Sequence, residues 1–342
     1  MQGINRATVL NPVRLVALIP HAQPQKSLSE QDLLTQITLL LNLLQQVPYH
    51  ADVKIEVSQA SGLLAEAEAI AKLARIPHAW GDVLALDGKA GILQTYNRNN
   101  IQHLFALPAL IASFFTNAQI QSEEELVNNV VEIYPLIQRE LFLTWNRQGV
   151  RDVTHKLLDT LVEYHLLERL ADNGLLRRPL QTAPTFGLLL GLARLLREPI
   201  ERYGMTLALI PKLTNQGAIQ RNLFIQQVQL LAERIAILTG RNAPEFFDKS
   251  LFSNHLNGLL AANLLSQSAD NKEQLQVDVR LAPLSQRMLS LMDNDVRHAV
   301  LSVLDKAHNS AMIQNSHSWL SQYCFAQYLH KLSIWIVISP LH

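Results

Sequence analysis

Apolar positions along this chain recur mostly at helical spacing. Leu33, Ile37, Leu40, Leu41 and Leu44 share one helix face, in a segment that opens at Ser27-Leu28-Ser29-Glu30-Gln31-Asp32 and stops at Pro48. Ser29 is placed as its N-cap, with Asp32 near N3, so that side-chain oxygens meet N–H groups that lack a helical partner. Residues 61–74 carry a second stripe through Leu63, Leu64, Ala67, Ile70 and Leu73. Ser122-Glu123-Glu124-Glu125 opens another helix, continued by Val130, Ile133, Tyr134, Ile137 and Leu141. Pro135 lies inside it and is expected to kink or divide it. Helical stripes also run over 96–115, 153–167, 186–210 with a break at Pro199, and 223–238 with Gly240 as C-cap. Asn242 to Lys249 is expected to open a further helix, with Pro244 near its first turn.

Two segments leave this period. In 82–94, Val83, Leu84 and Leu86 precede Asp87-Gly88, then Ile92 and Leu93, which predicts a hairpin turning at Asp87-Gly88. In 166–178 the turn falls at Asp172-Asn173-Gly174. The fold class expected is therefore mainly α, a helical array with one or two small β-hairpins. The segments LSEQDLLTQI, QSEEELVNNV and AIQRNLFIQQV share a polar start and an apolar stripe, and the first two are followed later by a hairpin candidate. Helices followed by a small hairpin resemble winged-helix units. Any capped amphipathic helix has the same pattern, however, and on that ground the recurrence is assigned to capping chemistry rather than to a repeat.

Composition narrows the function classes. Apolar residues make up 48% and charged residues 17%, enough to bury a large core. Lys plus Arg equals Asp plus Glu at 29 each, so the bulk basic field of a nucleic-acid binder is absent, and no nucleic-acid partner is expected. The single Cys324 excludes an internal disulfide framework. The start, Met1 to Arg6, lacks the basic-then-apolar layout of a signal peptide. No stretch reaches the ~18 uncharged apolar residues of a spanning helix. The nearest candidates for membrane contact are 101–115, 186–210 with Arg194, Arg197 and Arg202, and 332–341. Because Pro108 and Pro199 interrupt the first two, these faces are expected to pack internally, with peripheral membrane contact at most.

Candidate chemistry is sparse. CxxC pairs, HExxH, GxSxG, GxxxxGK[ST] and GxGxxG do not occur, so no metal or cofactor is expected. His78 precedes Asp82, and His155 precedes Asp159, each with three intervening residues.

Several unusual words remain: Val47-Pro48-Tyr49, Tyr96-Asn97-Arg98-Asn99-Asn100, Ile133-Tyr134-Pro135-Leu136, Glu140-Leu141-Phe142-Leu143-Thr144-Trp145, Arg202-Tyr203, Asn242-Ala243-Pro244-Glu245-Phe246-Phe247-Asp248-Lys249 and Asp295-Val296-Arg297. With the helix start at Ser27 to Leu33, and in this order, they resemble the C-terminal half of the bacterial membrane-bound sn-glycerol-3-phosphate 1-O-acyltransferases. The resemblance covers about residues 4–305. It implies a parent reaction that moves an acyl group from acyl-CoA or acyl carrier protein to the 1-hydroxyl of glycerol-3-phosphate, the first step of phospholipid synthesis. Catalysis in that family uses His-x4-Asp, whose His acts as general base, and a Gly-Gly-Arg-Ser block for phosphate. Neither occurs here, so no catalytic residue is carried over and the chain alone is expected to be inactive.

On the same resemblance, residues 1–25 are the remnant of a preceding catalytic domain, 26–305 the helical C-terminal region, and 306–342 a divergent tail. The tail is read as frameshifted, with an interfacial anchor as the alternative. The implied partner is the catalytic acyltransferase domain, missing or encoded separately, at the cytoplasmic face of the inner membrane. The competing class is a free-standing helical interaction module that binds protein or nucleic acid. Candidate interaction or structural residues are Asn97, Arg98, Asn99, Asn100, Trp145, Phe246, Phe247 and Asp248. Arg98 among three Asn is read first as a hydrogen-bonding cluster at a helix junction, and second as a phosphate or acidic-partner site. Phe246-Phe247 is read first as a core wedge, and Trp145 and Trp80 as residues of a membrane or domain interface.

Overall fold

A computed structural model describes residues 2–309, apart from 24, 56–61, 63, 65–67, 69–72, 87–95, 171–173, 215–217, 241–247, 269–270 and 272. The protein is mainly helical, with small sheets of two or three strands. Helix α1 (Gln2–Arg6) and strand β1 (Val9–Leu10) lead into α2 (Pro12–Ala22), β2 (Ser27–Ser29) and α3 (Glu30–Gln46). Then come β3 (Lys54–Ile55), which pairs in parallel with β1, and β4 (Leu73–Ile76) and β5 (Val83–Leu86). A helical turn at 96–99 precedes α4 (Gln102–Ser113), β6 (Ile120–Ser122), α5 (Glu123–Leu141), α6 (Arg147–Glu163), β7 (Glu168–Leu170) and β8 (Leu175–Arg177). After α7 (Pro184–Arg194) follow α8 (Arg197–Leu213), β9 (Ala218–Gln220), α9 (Arg221–Thr239), α10 (Lys249–Ala261), β10 (Leu265–Gln267) and β11 (Gln274–Val277). Helices α11 (Leu281–Leu291) and α12 (Asn294–Asn309) complete the described chain.

One plan recurs three times: helix, short strand, two helices, then two strands. The sheets run β2-β5-β4, β6-β8-β7 and β9-β11-β10, always with the last strand in the middle. This is winged-helix topology. In the first module, helical backbone at Gly62, Leu64 and Glu68 stands at the place of the third helix.

The repetition reaches single atoms. The first residue of each central helix donates its backbone N–H to a carbonyl at the wing: Glu30 to Asp82, Glu123 to Gly174, and Arg221 to Glu273, at 2.8–3.0 Å. Each middle strand places one fully buried leucine under the sheet, Leu84, Leu176 or Leu275. The central helices bury Leu33, Ile37 and Leu40, then Leu126, Val130 and Ile133, then Phe224, Val228 and Leu231, at the same offsets. The recurrence assigned above to capping chemistry alone is therefore a structural repeat. The capping expectation also holds: Ser29 Oγ accepts from Asp32 N–H at 3.1 Å, and Ser122 Oγ from Glu125 N–H at 3.4 Å. The buried residues of all three modules form one continuous core.

Several boundaries differ from expectation. Strand β5 has its antiparallel neighbours at β2 and β4, so its hairpin precedes it and turns through 77–82, where Gly81 adopts φ 107°. The expected turn at Asp87-Gly88 lies outside the described residues. Leu73 and Ala74, expected to end a helix, sit in β4 opposite Leu86 and Ala85, because cross-strand pairing outweighs their local preference. Pro135 does not divide α5, which runs on to Leu141. Packing on both sides compensates the single lost helical bond. The break near Pro199 falls instead at Leu195-Leu196, and Pro199 sits in the first turn of α8, where its missing N–H costs nothing. Helix α10 begins at Lys249 with Asp248 as N-cap, so Pro244 is not in its first turn. Gly240 caps α9 in the left-handed region at φ 68°, as expected.

Candidate functional site

Parts of three of the unusual words, Arg98, Glu140 and Arg202-Tyr203, meet inside the molecule at the junction of the second and third modules. Glu140 comes from the last turn of α5, Glu198 and Arg202 from α8, His255 from α10, and Arg98 from the helical turn ahead of α4. Arg202 forms an ion pair with Glu140, and its guanidinium lies 3.8 Å from Glu198, one turn away on α8. Arg98 donates to Glu198 Oε1 at 3.0 Å and from Nε to Asn99 Oδ1 at 3.1 Å. His255 donates from Nε2 to Glu140 Oε2 at 3.1 Å and stacks on the Tyr203 ring, with centroids 3.8 Å apart. The Tyr203 hydroxyl donates to the Leu136 carbonyl at 3.0 Å. Separate segments of the chain are thus tied through two guanidinium groups and two carboxylates.

The electrostatics follow from burial. Loss of water pushes the Glu140 carboxyl up, but the adjacent Arg202 charge and the His255 hydrogen bond outweigh it and hold the group down to about 2. Glu198 is lowered in the same way, burial being overcome by Arg98, Arg202 and Arg197. Burial lowers His255 despite its bond to Glu140, so the imidazole is neutral. Its side chain is 1% exposed. A small cavity elsewhere on α8, lined by Arg197, Ile200 and Glu201 and by none of the network residues, has a volume of about 10 Å³. That is room for about one water. A neutral imidazole paired with a carboxylate resembles a general-base pair, but this one is walled off from any substrate. Its chemistry is that of a clamp.

A second convergence lies between the first and second modules. Tyr49 meets the rings of His103 and Trp145 edge-on, at 5.1 and 4.9 Å. The Trp145 backbone N–H donates to Tyr134 Oη at 3.2 Å. His103 Nε2 lies 3.1 Å from the Asn5 carbonyl and donates to it, and burial lowers its pKa to about 4.

Of the residues singled out in the sequence, Arg98, Asn99 and Trp145 belong to these junctions. Arg98 joins an internal carboxylate. Asn100 closes the short helical turn through its N–H to Tyr96 O, and Asn97 sits in the same turn. Asp248 caps α10, accepting from Ser250 N–H at 2.8 Å. Phe246 and Phe247 lie outside the described residues, as does Cys324. Neither short His–Asp spacing forms an imidazole–carboxylate pair: Asp82 accepts from Arg75 at 2.8 Å and from the His78 backbone, His155 faces Glu123 at 3.6 Å, and Asp159 accepts from Arg169 at 2.6 Å. Sequence reasoning did not single out Glu140, Glu198, Arg202, Tyr203 and His255 as a site. The available signal was Glu198 and Arg202 at i, i+4, in a charged start that runs on into the apolar stretch Met205 to Ile210.

The geometry defines an α-helical scaffold of winged-helix-type modules locked by buried ion pairs. The chain belongs to the glycerol-3-phosphate acyltransferase family, matching the model of the glycerol-3-phosphate acyltransferase C-terminal region over residues 1–268. It is 36% identical over 269 residues to the glycerol-3-phosphate acyltransferase of Pseudomonas putida strain KT2440, covering 79% of this chain and 32% of that protein. Similar matches are the glycerol-3-phosphate acyltransferases of Pseudomonas paraeruginosa strain PA7 (36%) and Ectopseudomonas mendocina strain ymp (35%), with the same coverage. The chain spans about a third of the length of these relatives.

Proposed function

We propose that this chain acts as the docking scaffold of a glycerol-3-phosphate acyltransferase. It supports the part of the enzyme that transfers an acyl group from acyl-CoA or acyl carrier protein to the sn-1 hydroxyl of glycerol-3-phosphate, and it does not perform that step alone. The observation that carries this is the inward convergence of the family-like words: Arg98, Glu140, Trp145, Arg202 and Tyr203 secure module junctions rather than line an open cleft. Work at the cytoplasmic face of a membrane, with this region peripheral, follows from the same role, because the product must enter the bilayer. The exposed side of α6 alternates charge through Arg151, Asp152, Lys156 and Asp159, which suits a protein neighbour better than a phosphate backbone. The test is an acylation assay. The purified chain, supplied with glycerol-3-phosphate and long-chain acyl-CoA, is expected to give no product above the protein-free control. Turnover by the chain alone would overturn the scaffold role.

A further inference from the structure

An open groove of about 830 Å³ runs between the C-terminal ends of α5 and α10, and Gly3 of α1 lines its edge. Its floor is built from small residues at the end of α10, Gly258 and Ala261, and from the C-cap Ala262. Gly258 is already close-packed, since a Cβ there would lie 3.4 Å from Arg139 Cδ. Its wall is Phe142, the C-cap of α5, which adopts φ 54° and is 45% exposed. A non-glycine residue in the left-handed region is uncommon, and the surroundings hold it there. Asn5 donates to the Leu141 and Phe142 carbonyls at 2.8 and 3.2 Å, so α1 ties down the same corner. Arg139 stands exposed on the rim, and no carboxylate among the described residues pairs with it.

We infer that this groove seats the portion of the family's longer proteins that precedes the matched region, through an apolar helix bearing an acidic residue opposite Arg139. The inference rests on the docking role proposed above and names its surface. In relatives about three times as long, the polypeptide preceding the C-terminal region arrives at α1, and α1 is the edge of the groove. A floor of Gly and Ala lets a helix backbone approach closely. Phe142 offers an aromatic anchor, and one unpaired guanidinium selects a carboxylate.

The test compares hydrogen exchange in the full 342-residue chain with exchange in a chimera, the Pseudomonas putida relative with its matched region replaced by this chain. Amides of 139–142 and 258–262 are expected to exchange at least about tenfold more slowly in the chimera, while those around the exposed Val279 are unchanged. Arg139→Glu should erase the difference and Arg139→Lys should keep it. Protection confined to another surface would overturn the groove and leave the docking role standing. Equal exchange everywhere would overturn both. If the chimera does not fold, the unmodified Pseudomonas putida protein and its isolated matched region, compared at the aligned positions, separate the same outcomes.

Discussion

Glu140 is the residue on which the largest single effect should fall. It faces a guanidinium and an imidazole in a buried junction, so its removal leaves Arg202 charged and without its closest counter-ion. Breaking one side of a buried ion pair costs about 3–5 kcal/mol, whereas replacing both sides by apolar groups of similar volume is far milder. Glu140→Ala should therefore lower stability by about 3–5 kcal/mol in urea unfolding. Glu140→Leu combined with Arg202→Met should cost less than Glu140→Ala alone, because Arg98 and Glu198 still balance each other. A double variant no better than the single one would show that hydrogen-bond geometry, rather than charge balance, holds the junction.

His103 and His255 set a pH dependence with a definite sign. Burial depresses both, His103 to about 4, while an unfolded imidazole titrates near 6.5. Between those values the unfolded chain binds more protons. Stability is thus full above about pH 6.5 and falls as pH drops toward about 4. Glu140 adds a further loss of the same sign from about 4.5 down to about 2. The urea midpoint should be lower at pH 5 than at pH 7. An equal or higher midpoint at pH 5 would mean that these imidazoles are not buried as described.

At the scale of elements, the repeat exposes differences that a single module would hide. Glu30 and Glu123, first residues of their central helices, pair with Arg75 and Arg169 of the neighbouring strands. By register, the third module has Arg221 and Gln267 in those places. It also lacks a side-chain cap, since Gln220 makes no capping bond where Ser29 and Ser122 do. Ser122→Ala should thus cost about 1 kcal/mol, and Gln220→Ser should gain about 0.5–1 kcal/mol. Chemical unfolding of the two variants checks both, and a loss in Gln220→Ser would show that the strand pairing to Gln274 needs the longer side chain.

The same elements show what was legible in the sequence and what was not. The stripes that define α3, α5 and α9, the caps Ser29, Ser122 and Gly240, and the turn at Gly174 are local signals and could be read. Strand pairings are not local. Leu73 and Ala74 lie within a helix-like apolar pattern and become strand only because β5 stands opposite them. The three-residue strands β2, β6 and β9 are too short to show an alternation. The repeat therefore surfaced only through its polar helix starts. The junction network was hidden for the same reason: Arg98 and Glu198 are a hundred positions apart, and nothing local links them.

For the whole molecule, the question is whether its apolar segments face lipid or protein. Every residue of α4 is buried, so the most membrane-like stretch is core. The arginines of the second candidate also turn inward: Arg194 donates to Gln23 at 3.0 Å, Arg197 adds its charge near Glu198, and Arg202 clamps Glu140. They are not available to anionic headgroups, where each basic residue would contribute about 1 kcal/mol. No helix among the described residues is long and apolar enough to cross a membrane. Among the described residues, the most exposed large apolar side chain is Trp80 at the tip of the β4–β5 turn, at 94%, followed by scattered residues and the adjacent Ile237 and Leu238 of α9. The third candidate, 332–341, lies outside the described residues. The carboxylates of Glu30, Glu68 and Asp82 outnumber Arg75 at the base of that turn and repel anionic lipid. In vesicle flotation with anionic lipid, most of the chain should stay in the soluble fraction, and the small floating share should fall further as anionic lipid is increased. Tight flotation that survives high salt would mean that apolar surface outside these packed faces holds the bilayer, and the scaffold would then carry the membrane contact itself.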